Sequence, residues 1–169
     1  MSEILSKEIV SEPPFTCTGT FSISKFLNNE KAIAEAVAPV PQEKVDAIVE
    51  AIRLAPTSSG TQPFELLVVT NPEIRSEIRK VAWDQSPITD GSHLLVFAAW
   101  DNYTEERIDN VTDLMTEARG ELPMLNEYYK NLKANYLPRD PEINYAHAAR
   151  QAYIALGIAL VAAAEQEVD

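Results

Sequence analysis

Residues 43–69 read EKVDAIVEAIRLAPTSSGTQPFELLVV. Two periodicities meet in this stretch. Val45, Ile48, Val49, Ile52 and Ala55 recur at helical spacing. Pro41 suits the first turn of that helix, where its missing N–H costs nothing, and Pro56 disfavours continuation past Ala55. Phe64 to Thr70, FELLVVT, is short, apolar and rich in branched residues, and predicts a strand buried on both faces. Between helix and strand lies a loop of hydroxyls and backbone amides, Thr57, Ser58, Ser59, Gly60, Thr61 and Gln62. Gly60 permits a positive φ or a close approach, and the Gln62 amide both donates and accepts. Physics alone leaves two uses open. One is a helix-terminal turn that satisfies itself. The other is a cradle for a phosphate or for the polar edge of a heterocycle.

Outward from the loop, Asn71-Pro72-Glu73 is a helix start, with a cap, a first-turn proline and an acid near the positive dipole end. Ile74, Ile78 and Val81 are its apolar stripe. WDQSPITDG (83–91) is a loop, and HLLVFAAW (93–100) a second buried strand. Thr104 caps a helix that Gly120 terminates. A further helix covers Leu125 to Tyr136, and the last runs from about Glu142 to Glu167. From Ala152 it is apolar nearly all round, which places it in the core or in a subunit interface. Upstream, residues 1–22 carry no clean periodicity, and SKFLNNEKAIAEAVA (24–38) reads as helix before a proline break. The pattern is α+β in one domain of 169 residues. Two strands do not make an independent sheet, so further strands are expected from elsewhere.

The formal net charge of −12 excludes nucleic acid and anionic membrane surfaces as natural partners, since both demand clustered Lys and Arg. The single cysteine, Cys17, forms no internal disulfide and builds no cysteine-based zinc site. The charged N-terminus has no signal-peptide core. The longest apolar run, AYIALGIALVAAA (152–164), falls short of the roughly 18 residues of a membrane span. The expectation is a cytoplasmic protein.

Ala55, Pro56, Thr57, Ser58, Gln62, Pro63 and Phe64 stand in the order A-P-[ST]-[ST]-x-x-x-Q-P-[WF], directly before the predicted strand. In this the stretch resembles the nitroreductase family of FMN-dependent oxidoreductases. Residues 83–99 resemble the family's second loop and core strand, and 150–169, beginning RQAYIALG, its long central helix. The resemblance implies a nitroreductase-like mixed sheet flanked by helices, in a homodimer with FMN at the subunit interface. It implies that Pro56, Thr57, Ser58, Gly60 and Gln62 hold the isoalloxazine and ribityl parts, with Asp84 and Gln85 on the opposite face of the pocket. NAD(P)H is then the co-substrate, and a nitroaromatic, quinone or similar small molecule the acceptor. The chemistry belongs to the flavin, so no side chain is named as catalytic.

The match departs from the family at three places. The basic motif that holds the FMN phosphate is reduced to Lys31, flanked by Glu30 and Glu35. Gly60 and Asp84 stand where relatives often carry Asn. The family's C-terminal strand and arm, beyond the position of Asp169, are not in this sequence. The alternative is therefore a nitroreductase-fold protein with weak or no flavin binding, acting as a scaffold, binding module or remnant. His93 and His147 read as structural or surface residues and Trp83 and Trp100 as core anchors; for Tyr128-Tyr129, on the helical insert, the family resemblance adds a substrate-lid role as the lesser alternative.

Overall fold

The computed structural model describes residues 39–168. The irregular segment 1–22, the helix expected over 24–38, Cys17 and Lys31 lie outside the described residues. The described chain runs α1 (Gln42–Arg53), a 3-10 turn (Ser58–Gly60), β1 (Phe64–Val69), α2 (Pro72–Val81), α3 (Pro87–Asp90), β2 (Leu94–Ala99), α4 (Glu105–Arg119), α5 (Pro123–Tyr136) and α6 (Pro141–Glu165). β1 and β2 pair as a small two-stranded antiparallel sheet, so the architecture is α+β.

Local chemistry sets most boundaries. Pro41 precedes α1 as its cap residue, and α1 stops at Arg53, two residues before the expected end. Asn71 accepts hydrogen bonds from the Glu73 and Ile74 amides at 2.8 and 3.2 Å, which satisfies two of the orphan donors of α2. Thr104 accepts from the Arg107 amide at 3.2 Å, and Gly120 ends α4 at φ +79°. Pro123 begins α5, as first-turn prolines do. The predicted loop over 83–91 contains the short helix α3.

The chain divides into two compact units. One comprises residues 55–65 and 97–156, the other 39–54, 66–96 and 157–168. In the first unit, Ile108 and Val111 of α4, Tyr129, Leu132 and Tyr136 of α5, and Ala148 of α6 bury against Trp100 and Tyr103. Tyr103 stands edge-on to both Trp100 and Tyr136, at centroid separations of 5.6 and 4.8 Å. Such pairs add directionality to apolar burial. The Pro63 carbonyl accepts from the Trp100 amide at 2.9 Å, which joins the end of the loop to the end of β2.

In the second unit, Val45, Ile48 and Ile52 form the buried stripe of α1. Lys44 Nζ donates to the Gln166 carbonyl at 2.5 Å, satisfying a free acceptor just past α6. The buried residue of α2 is Arg75, at 2% exposure, whereas Val81 is exposed. The Arg75 guanidinium donates to the carbonyls of Ile88 and Gly91, so it ties α2 to the end of α3. The expected apolar stripe of α2 is thus corrected. Ile74 and Ile78 are half-buried, and the buried Arg75 donates through Nη1 to backbone carbonyls while its Nε has no partner among the described residues.

Three further expectations change. β1 is not buried on both faces, because Glu65 is exposed between Phe64 and Leu66. The exposure is confined to the start of the strand, since Leu67 and Val68 are half-buried and Val69, on the same face as Glu65, is buried. Trp83 is 92% exposed, not a core anchor, whereas Trp100 is buried as expected. The last helix is not enclosed all round: Tyr153, Ile154, Leu160 and Val161 are exposed while Ala155 and Ala159 are buried. At 25 residues, α6 is long and apolar enough to cross a membrane by length and composition alone, although its uninterrupted apolar run is shorter. That measure does not distinguish a membrane span from the core helix of a soluble protein.

Candidate functional site

Residues 56–63 form a tight loop that satisfies much of itself. The Thr57 amide donates to the Ala55 carbonyl at 3.0 Å, the Gly60 amide to Thr57 at 3.1 Å, and the Thr61 amide to Ser58 at 3.4 Å. The Gln62 amide donates to Thr57 Oγ1 at 3.1 Å, and Thr61 Oγ1 donates to the Ser58 carbonyl at 3.2 Å. Two residues foreseen as cofactor contacts therefore have structural work. The Thr57 hydroxyl closes the loop, and the Gln62 residue is buried with Thr61 and Pro63. A cradle made of all the loop amides is excluded, since five of these donors serve the loop or its neighbours. Among the described residues, the Ser59 N–H has no partner. Ser58 and Gly60 are exposed, and Pro56 is exposed ahead of them.

The loop reaches this shape through left-handed backbone. Ser59 has φ +58°, Gly60 +63° and Gln62 +41°. The glycine adopts its value at no steric cost. Ser59 and Gln62 do so against the preference of L-residues, and such conformations persist where surrounding structure over-determines them, commonly at ligand sites. Here the surroundings are visible. Tyr128 donates its hydroxyl to Ser59 Oγ at 2.9 Å, and Tyr129 its hydroxyl to the Ser59 carbonyl at 3.4 Å. The two rings meet edge-on at 5.4 Å. Burial, reinforced by Tyr128, raises the Tyr129 phenol above its ordinary range, so it remains a donor. A Cβ added to Gly60 would find only the Tyr129 hydroxyl, at 4.0 Å, so there is room over the loop at that point.

From the other side α6 holds the loop. Gln151 Oε1 accepts from the Ser58 amide at 2.8 Å, and its Nε2 donates to the His147 carbonyl one turn earlier at 3.4 Å. His147 Nδ1 lies 2.9 Å from the Tyr103 hydroxyl. Burial pushes the Tyr103 phenol up to about 12, with Thr61 acting the other way. Burial, then the nearby Arg139 and Arg150 cations, lower the pKa of His147. A protonated phenol beside a neutral imidazole lets Tyr103 donate to Nδ1 in the tautomer that carries the ring proton on Nε2. His147 is thus a partnered, half-buried residue rather than a surface one.

Asp84 and Gln85 belong to the second unit. Asp84 follows Trp83 in left-handed backbone, φ +54° after +53°, and its carboxylate accepts from Arg79 Nε at 2.7 Å. Arg79 also donates to Thr89 at 2.9 Å. The charge that replaces the family's Asn is therefore partly neutralised, although the pair is open to water and correspondingly screened. Gln85 is exposed. His93 is half-buried, with Nδ1 2.6 Å from Ser92 Oγ. Burial, then Arg75, lower its pKa, as befits a structural histidine.

The Nitroreductase family model matches residues 37–169. The chain belongs to the nitroreductase family. YfkO of Bacillus subtilis strain 168, provisionally named an NAD(P)H nitroreductase, is 31% identical over 144 residues, 76% of this chain and 64% of its own length. A similarly named protein of Staphylococcus saprophyticus, SSP0379, is 26% identical over 141 residues, 80% of this chain and 64% of its own. The nitroreductase chain thus spans 64% of the length of these curated relatives. Among solved structures, a nitroreductase family protein from Streptococcus pneumoniae TIGR4 superposes with a TM-score of 0.65 at 19% identity, covering 76% of this chain and 64% of that one. A provisionally named nitroreductase from Exiguobacterium sibiricum 255-15, solved in complex with FMN, gives 0.63 at 14% identity, covering 90% and 65%. These structural likenesses establish the nitroreductase fold.

Of the residues foreseen for the nitroreductase site, Pro56, Thr57, Ser58, Gly60 and Gln62 share one loop, Asp84 and Gln85 lie in the other unit, and Lys31 lies outside the described residues. The sequence offers every loop N–H, that of Ser59 included, without ranking them, and it gives no sign that Gln151 and Tyr128 bond to the loop. Gln151 stands in RQAYIALG only as part of the family pattern.

Proposed function

We propose that this chain forms the flavin-binding part of an oxidoreductase that passes electrons from NAD(P)H to a nitroaromatic, quinone or related acceptor. We assign it FMN as cofactor, a homodimeric state and a cytoplasmic location. The observation that carries the assignment is the loop at 56–63. It is hydrogen-bonded from α5 and α6 while presenting a Ser59 N–H with no partner among the described residues, the exposed Ser58 residue and the uncovered Gly60. That donor set fits the polar edge of a flat heterocycle such as isoalloxazine, and is too small for a phosphate. Support also comes from family membership and from the FMN complex of the Exiguobacterium relative. When bound, FMN supplies the hydride and electron transfer, and the protein orients the ring and tunes it by hydrogen bonds. Ser59 and Ser58 would orient the ring edge, and Gly60 would allow its approach. The exposed apolar face of α6, around Leu160 and Val161, fits a second copy of the chain.

The alternative, a nitroreductase-fold scaffold that takes up flavin weakly, draws on the number of loop amides already satisfied internally. Visible absorption after dialysis against excess FMN separates the two. A retained flavin band that NADH or NADPH bleaches supports the oxidoreductase. A colourless protein refutes it and leaves the scaffold.

A further inference from the structure

Ser58 is held through two successive peptides, Thr57–Ser58 at its N–H and Ser58–Ser59 at its carbonyl, by residues that nothing assigns to the site. Its amide N–H points at Gln151 Oε1, 2.8 Å away and 93 residues later in the chain. Its carbonyl accepts from Thr61 Oγ1 and from the Thr61 amide. The Gln151 amide cannot turn over without losing its bond to the His147 carbonyl, so its oxygen is committed to Ser58. Gln151 is itself buried, and a buried amide left half-paired is costly. The next residue, Ser59, is in left-handed backbone, and its N–H has no partner among the described residues. That N–H shares a peptide with the Ser58 carbonyl held by Thr61, and the preceding peptide held by Gln151 fixes where that unit begins.

We propose that Gln151 is a positioning residue of the cofactor site. It anchors the Thr57–Ser58 peptide, and through Ser58 it sets the start of the next peptide, which Thr61 holds and which carries the Ser59 N–H offered to the ligand. This rests on the flavin assignment above, but its geometric part stands without any flavin. Gln151 acts through Ser58 and touches no ligand. Tyr103 and His147 brace it from behind, since His147 supplies the carbonyl that locks the Gln151 amide and is itself held by the Tyr103 hydroxyl.

The test begins with the full-length wild-type chain without flavin, by amide hydrogen exchange. Ser58 should exchange at least about tenfold more slowly than Ser59, because exchange requires an amide to leave its acceptor. Equal rates overturn the proposal. Two substitutions then separate positioning from bulk. Gln151→Met keeps the volume and removes both hydrogen bonds. Gln151→Glu keeps an acceptor for Ser58. The Met variant should lose Ser58 protection and weaken FMN binding, read by quenching of flavin fluorescence, by about tenfold. The Glu variant should keep the protection and bind within about threefold of wild type. FMN affinity unchanged in a folded Gln151→Met, or lost equally in both variants, overturns the proposal. If Gln151→Met does not fold, the wild-type exchange rates and the Glu variant still decide. A wild-type chain that takes up no FMN refutes the flavin assignment, while slow Ser58 exchange in the same protein would retain Gln151 as the loop's clamp.

Discussion

The Tyr103 hydroxyl lies 2.9 Å from His147 Nδ1, and the two rings sit 5.8 Å apart at 56°. Between them they join the segment after β2 to the first turns of α6. With a neutral imidazole whose proton sits on Nε2, Nδ1 accepts from the Tyr103 hydroxyl. Protonation of Nδ1 removes the acceptor and adds a cation among Arg139, Arg150 and the Tyr136 ring.

The first prediction follows from the sign of that shift. The folded pKa of His147 is depressed below its unfolded value of about 6.5. Its contribution to stability is therefore fully present above about pH 6.5 and declines as pH falls through the depressed folded value. Loss of net negative charge on acidification acts the other way in a chain of charge −12, so the total slope is mixed. His147→Gln isolates the term. Urea unfolding at pH 7.5 and 5.5 should show a smaller loss of stability on acidification in the variant than in wild type. Equal losses would exclude His147 as the titrating group.

Gly60→Ala tests the loop backbone. Nothing crowds the new methyl within 4 Å apart from the Tyr129 hydroxyl at that limit, so the cost in stability is the left-handed strain alone, about 1–2 kcal/mol. The same methyl stands over the loop where a ring would approach. FMN affinity should therefore fall by more than the loss of stability accounts for, as measured by thermal denaturation and flavin titration on one preparation.

Asn71→Ala removes the side chain that caps two amides at the start of α2. The expected cost is about 1 kcal/mol in denaturant unfolding. Asn71→Asp keeps the acceptor and should cost less than half of that. The site loop lies in the other unit, so FMN affinity in Asn71→Ala should stay near wild type.

Leu160 and Val161 of α6 are 65% and 62% exposed. If a second copy covers them, Leu160→Lys should shift sedimentation from dimer to monomer, because an unpaired ammonium buried in an apolar interface is strongly unfavourable. A wild-type chain that sediments as a monomer at every concentration would refute the homodimer.

Much of this protein is readable along the chain because its causes are local. The stop of α1 before Pro56, the Asn71 and Thr104 caps, the Gly120 terminus and the first-turn Pro123 all lie within a few residues of what they control. The pattern from Ala55 to Phe64 fixes the family and marks the loop for the same reason. Its prolines, its glycine and the adjoining strand are contiguous.

Tertiary structure alone decided the rest. No periodicity announces that Glu65 is exposed beside a buried Leu66, or that Arg75 and not Val81 is the buried member of α2. Those outcomes depend on what packs opposite. The loop is the clearest case. Its composition named every residue from Thr57 to Gln62 as a candidate, since each carries a group able to bind. Which donors remain open depends on partners far away in sequence. Tyr128 engages Ser59 across 69 residues, and Gln151 engages Ser58 across 93. A hydrogen bond occupies its donor, so only the folded chain could show that, among the described residues, the Ser59 N–H is the loop amide without a partner.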